Sequence, residues 1–109
     1  MQDYFLKGFV GAAPETKEVK GLPVAKFIIS VNCGNAGKPK KMWVKCTAWR
    51  ELADCVSKSV FQGDLVAING RIEDVEAWID PKSGKAKGAL AVKVSEVFKS
   101  VRPGEFRKV

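Results

Sequence analysis

Two tryptophans, a lysine and a threonine alternate with apolar residues in Trp43-Val44-Lys45-Cys46-Thr47-Ala48-Trp49. Strand side chains point to opposite faces with period two, so Met42, Val44, Cys46 and Ala48 turn to a core while Trp43, Lys45, Thr47 and Trp49 face outward. A large aromatic on the polar side of a half-buried strand calls for something packed on it: a partner subunit, a ligand ring or a nucleobase. The lysine between the two rings favours an anionic polymer. Stacking on an aromatic contributes about 1–3 kcal/mol per base and accepts any base, while cations alongside hold the phosphates. Cover by a second hydrophobic layer, such as a helix or another protomer, is the alternative that the strand alone leaves open.

Other chemistry is poorly supplied. The chain has no histidine, which removes the commonest general base and metal ligand. Cys33, Cys46 and Cys55 are the strong nucleophile candidates, and none has a recognisable base partner. Their odd number and wide spacing suit neither a disulfide framework nor a zinc site, so reduced thiols are expected, with Cys46 buried as a small apolar residue. No enzyme activity, cofactor or metal is expected.

Composition narrows the partner. Nineteen Lys and Arg against twelve Asp and Glu give a net charge of +7, which implies nucleic acid or an anionic membrane surface. The apolar residues come in short alternating runs, too short to span a bilayer, and no cationic amphipathic helix is visible, so membrane binding is not expected. The opening Met1-Gln2-Asp3-Tyr4 lacks a secretory pattern, which points to a cytoplasmic location. At 109 residues the chain fits one domain with one modest core.

The elements that must position the tryptophans follow from periodicity. Tyr4 to Val10 reads as a strand with Leu6 and Val10 inward and Phe5, Lys7 and Phe9 outward. A polar stretch from Glu15 to Gly21 leads to a second strand, Val24 to Asn32, with Ala25, Phe27, Ile29 and Val31 on one face. The Gly/Asn/Pro loop from Asn32 to Pro39 and the pair Lys40-Lys41 deliver a basic cluster to the start of the tryptophan strand. Leu52, Val56 and Val60 then recur at helical spacing, with Gly63 as a C-terminal stop.

Strand alternation returns from Asp64 to Ile79, with Val66, Ile68 and Ile72 inward, Arg71 outward and Gly70 marking a bend or bulge. Asp80-Pro81-Lys82-Ser83-Gly84-Lys85 is a hairpin connection, and a last strand carries Leu90, Val92 and Val94 on one face. The order strand, strand, strand, helix, strand, strand is that of an all-β, five-stranded OB-fold Greek-key barrel, with one short helix between strands 3 and 4 and a long strand 4–5 hairpin. The domain is placed at residues 1–100 and a short basic C-terminal tail at 101–109.

From Leu6 to Phe98 the sequence resembles the bacterial single-stranded DNA-binding protein family. The resemblance rests on an ordered series: Leu6-Lys7-Gly8-Phe9-Val10-Gly11 with Pro14-Glu15, Pro23-Val24-Ala25-Lys26-Phe27, Trp43-Val44-Lys45-Cys46, Glu51-Leu52-Ala53 and the run from Gly63 to Arg71. It implies an OB-fold and base stacking on Trp43, Trp49 and Trp78, which are all the tryptophans present. Strict alternation would turn Trp78 inward with Ile68 and Ile72, but Asp74 and Glu76 share that parity. The hairpin therefore has to leave the barrel before residue 78 and present Trp78 beside Lys82, Lys85 and Lys87. Lys45, Arg50 next to Trp49, and the outward Arg71 are the preferred phosphate contacts, with Lys38, Lys40 and Lys41 as second choices.

The expected function is binding of single-stranded DNA with little sequence preference, protecting it in replication, recombination and repair. A tailless primosomal adaptor linking a helicase to DNA and an OB-fold RNA-binding or protein-interaction module are the rivals. The resemblance also implies a homo-oligomer, a tetramer with a dimer as the alternative, and outward Phe5 and Phe9 suit an interface. Three departures stand out: the loop from Cys33 to Gly37 lacks an aromatic the family often places there, Gly88 stands near a position often held by tyrosine, and the chain stops at Val109 on a basic segment. Relatives typically carry an acidic tip that recruits enzymes, so recruitment of that kind is not expected of this chain, whether cut short or tailless.

Overall fold

The computed structural model describes residues 3–109; Met1 and Gln2, part of the opening read above, lie outside the described residues. The elements in chain order are β1 (Tyr4–Val10), β2 (Glu15–Val19), β3 (Leu22–Asn32), β4 (Lys41–Trp49), α1 (Glu51–Ser59), β5 (Leu65–Ile79), β6 (Ala86–Arg102) and β7 (Glu105–Lys108).

β1 closes the barrel by pairing on both sides. It runs antiparallel to β5 from Tyr4 opposite Gly70 to Phe9 opposite Leu65, and its end crosses to β3 through Phe9–Ser30 and Val10–Ile29. β3 pairs with β4 and β5 with β6, both antiparallel, while β4 and β6 run parallel from Trp43–Ala89 to Thr47–Lys93. The circuit β1-β5-β6-β4-β3 is the expected OB-fold barrel, and closure leaves it no open edge.

Inward residues follow the alternation read from the sequence. Ile29, Val44, Val56, Ile68, Val92 and Val97 are fully buried, with Cys46 among them. The helix closes one end of this core through Ala53 and Val56. It stops at Ser59 because Val60 turns extended to enter the core; Gly63 serves the following turn, at φ 88°, rather than the helix end. Lys99 holds that end in place: its Nζ donates to the Ser59 carbonyl at 2.9 Å and pairs with Asp64 at 3.1 Å.

Two strands add to the five. The polar stretch from Glu15 is strand β2, which pairs with β3 through the Lys20-Gly21 turn, where both residues have positive φ (52° and 79°). Its residues up to Glu18 are solvent-exposed, so no apolar alternation announces it. The stretch read as a tail is folded as well: β6 runs on to Arg102, Pro103-Gly104 turns the chain, and β7 returns along β6. Lys108 pairs with Glu96 at 3.3 Å, and the Val109 amide donates to the Val97 carbonyl at 3.0 Å.

Candidate nucleic-acid interface

β4 lies between β3 and β6, so its outward residues form the middle of a three-strand face. Trp43 is flanked by Ser30 and Ala89, Lys45 by Ile28 and Ala91, and Thr47 by Lys26 and Lys93. The small neighbours of Trp43 leave its indole 44% exposed, and Gly11 packs directly beside it. With Ala12, Ile28 and Ala89 these residues line an open groove of about 450 Å³. A floor of glycine and alanine beneath exposed indoles leaves room for a planar ring.

Trp78 forms the other side of that groove and is 43% exposed. Its placement depends on a break in the β5–β6 register. Ile72 pairs with Val92, but Asp74 pairs with Ala91, so Glu73 is an extra residue in β5. The bulge reverses the alternation. Asp74, Glu76 and Trp78 thereby join the outer face, and Glu76 falls opposite Ala89, which itself neighbours Trp43. A bulge was anticipated at Gly70, where a register shift does occur; the second shift, at Glu73, is what turns Trp78 outward.

Lys45 reaches across this face. Its ammonium donates to the Glu76 carboxylate and stands 6.0 Å from the centre of the Trp78 ring. Next to Trp78 in register is Lys87, which pairs loosely with Asp80 at 4.0 Å. The Lys82 amide, the Ser83 hydroxyl and the Lys87 ammonium hold the Asp80 carboxyl below its ordinary pKa. Lys82 and Lys85 are exposed on the hairpin turn that joins β5 to β6.

Trp49 does not share the groove. It lies six positions beyond Trp43, about 20 Å along a strand. It is half-buried in a second cleft with Arg50, Arg71 and Lys93. The predicted aromatic platform is therefore divided into Trp43 with Trp78 in one place and Trp49 with two arginines in another. Between them, a row crosses four strands: Lys26, Thr47, Lys93 and Arg71 are successive cross-strand neighbours on the outer face.

Lys26 and Lys93 were missed as candidates, although both alternate outward in the sequence. Their neighbours were the hidden part, since parallel pairing of β4 with β6 joins segments more than forty residues apart. The glycine-rich loop before β4 is tied by the Asn35 side chain, whose Oδ1 accepts from the amides of Gly37 at 3.0 Å and Lys38 at 2.8 Å. It presents Lys38, Lys40 and the strand's first residue Lys41 to solvent. Among the described residues no cluster of His, Cys, Asp or Glu could hold a metal ion, and no helix is long and apolar enough to cross a membrane.

Known proteins place this barrel in context. The single-stranded DNA-binding proteins of Mycobacterium tuberculosis and Mycolicibacterium smegmatis are each 25% identical to it over 103 residues, covering 87% of this chain and 62% and 61% of theirs. The chain thus spans about three fifths of the length of these relatives. The crystal structure of the small single-stranded DNA-binding protein from Streptomyces coelicolor superposes with a TM-score of 0.70 at 18% identity, over 94% of this chain and 97% of that one, which shows the shared fold. Residues 1–99 match the single-strand binding protein family, and the chain belongs to that family.

Proposed function

We propose that this chain binds single-stranded DNA with little sequence preference, stacking bases between Trp43 and Trp78 and leading the phosphates past Lys45 and the Lys26–Lys93–Arg71 row toward Trp49 and Arg50. The observation that carries this reading is the pair of exposed indoles on one groove with a lysine in its lining. Rings recognise any base by its face, and cations recognise the backbone, so neither reads sequence. The names of the mycobacterial relatives agree with it. Lys82, Lys85 and Lys87 extend the basic rim beyond Trp78. Protection of single strands during replication, recombination and repair, in the cytoplasm and at the nucleoid, is the role such binding serves.

Assembly into a homo-oligomer, a tetramer in the first instance, belongs to the same reading. It is supported by Phe5 and Phe9, which are 63% and 51% exposed on the outer side of β1.

Titration of oligo(dT) against tryptophan fluorescence at several salt concentrations tests binding, and light scattering on the same samples tests assembly. The expected result is strong quenching and an affinity that falls with salt, by a log–log slope of about 0.7 per neutralised phosphate. Absence of quenching, or a preference for RNA of equal length, would remove the proposal.

A further inference from the structure

Beside the groove of Trp43 and Trp78, in the adjoining hollow that shares Lys45 with it, stands a carboxylate that phosphate binding does not ask for. Glu76 sits on the outer face only because of the bulge at Glu73, and it holds the ammonium of Lys45, the cation that lines the groove 6.0 Å from the Trp78 ring. Both side chains are accessible, at 47% for Lys45 and 38% for Glu76, so an incoming anion can reach the pair. A carboxylate there occupies a donor that a phosphate would use, and it places a negative charge facing a polyanion.

We propose that Glu76 is an internal competitor for phosphate: it engages Lys45 in the free protein, and a bound strand must take the lysine from it or lie beside its charge. The device weakens binding at the groove and eases release of the strand. It rests on the groove being the single-stranded DNA site.

The test compares oligo(dT) titrations of the native chain with those of E76Q, E18Q, K45M and the double variant E76Q/K45M over a range of salt. E76Q is expected to bind about tenfold more tightly at low salt, the effect of one unit charge about 6 Å from a phosphate at intermediate dielectric. Its log–log salt slope is expected to steepen by about 0.7, one further phosphate neutralised. E18Q removes the same charge from β2, opposite Pro23, and is expected to leave both readings near native. In the K45M background the steepening of the salt slope by E76Q should vanish, since no lysine is left to release, while the gain from removing the direct repulsion remains.

If E76Q binds no more tightly than E18Q, or more weakly than the native chain, Glu76 is not a competitor, and the inference is overturned while DNA binding stands. If the native chain gives no quenching with oligo(dT), the groove reading and this inference fall together. Thermal melts of E76Q confirm that a change in affinity is read on folded protein.

Discussion

The indole of Trp43 lies beside Gly11, so close that a Cβ on the glycine would come 3.2 Å from Cζ3 of the ring. The Gly11 amide donates to the Ile28 carbonyl at 2.9 Å, which fixes the backbone, and so only the ring could give way. Gly11→Ala should therefore tilt Trp43 by a few tenths of an ångström, and Gly11→Val should displace it further. The expected outcome is a graded loss of oligo(dT) affinity with little change in thermal stability, read by fluorescence titration and melting of the same samples.

Trp43 and Trp78 share a groove, whereas Trp49 stands in another cleft. Trp43→Ala and Trp78→Ala should each cost about 1–3 kcal/mol of binding. Together they should depart from additivity, because the second ring loses its opposite wall. Trp49→Ala should add to either one, as expected for sites well apart. A double-mutant cycle on oligo(dT) binding checks both statements.

Gly70 is buried where β5 passes β6, and a Cβ there would meet the Lys93 carbonyl oxygen at 2.6 Å and Val92 Cγ1 at 2.7 Å. Backbone on one side and core on the other leave no soft neighbour to move. Gly70→Ala should destabilise the fold by about 1–3 kcal/mol, the usual cost of overpacking. Urea unfolding followed by circular dichroism measures it.

Cys46 is buried in the barrel, and burial pushes its thiol pKa up. In the unfolded chain the same thiol ionises near its ordinary value of about 8.5. Its folded pKa is the higher of the two, so its contribution is fully present below about pH 8.5 and is lost as pH rises. The loss should approach about 1.4 kcal/mol per pH unit above that point, and Cys46→Ala should abolish this part of the alkaline slope. A thiol reagent at pH 8 should label the exposed Cys33 at once and Cys46 only after denaturation.

Much of the site was legible because it is local. Period-two alternation across Trp43, Lys45, Thr47 and Trp49 needs no partner strand to be read, and it matches the outer face of β4. The helix was legible through Leu52, Val56 and Val60 for the same reason. β2 was not, because its exposed residues up to Glu18 carry no hydrophobic period, and its stability comes from hydrogen bonding to β3. β7 was hidden behind its charges: Arg102, Glu105 and Arg107 read as a solvated tail, yet Arg102 and Arg107 pair with Glu105 at 2.8 and 3.3 Å.

The chain's own order of residues determined the order of the main strands and the helix, the inward set, an outward face with two tryptophans and a basic hairpin, since each depends on neighbours two to four positions away. Tertiary structure alone decided which aromatics share a groove. The extra residue at Glu73 turns Trp78 and Glu76 outward, and parallel pairing of β4 with β6 sets Trp43 beside Ala89 and Thr47 beside Lys93. Both are matters of register between strands far apart in the chain, and register is set by how a barrel closes, which no local pattern carries.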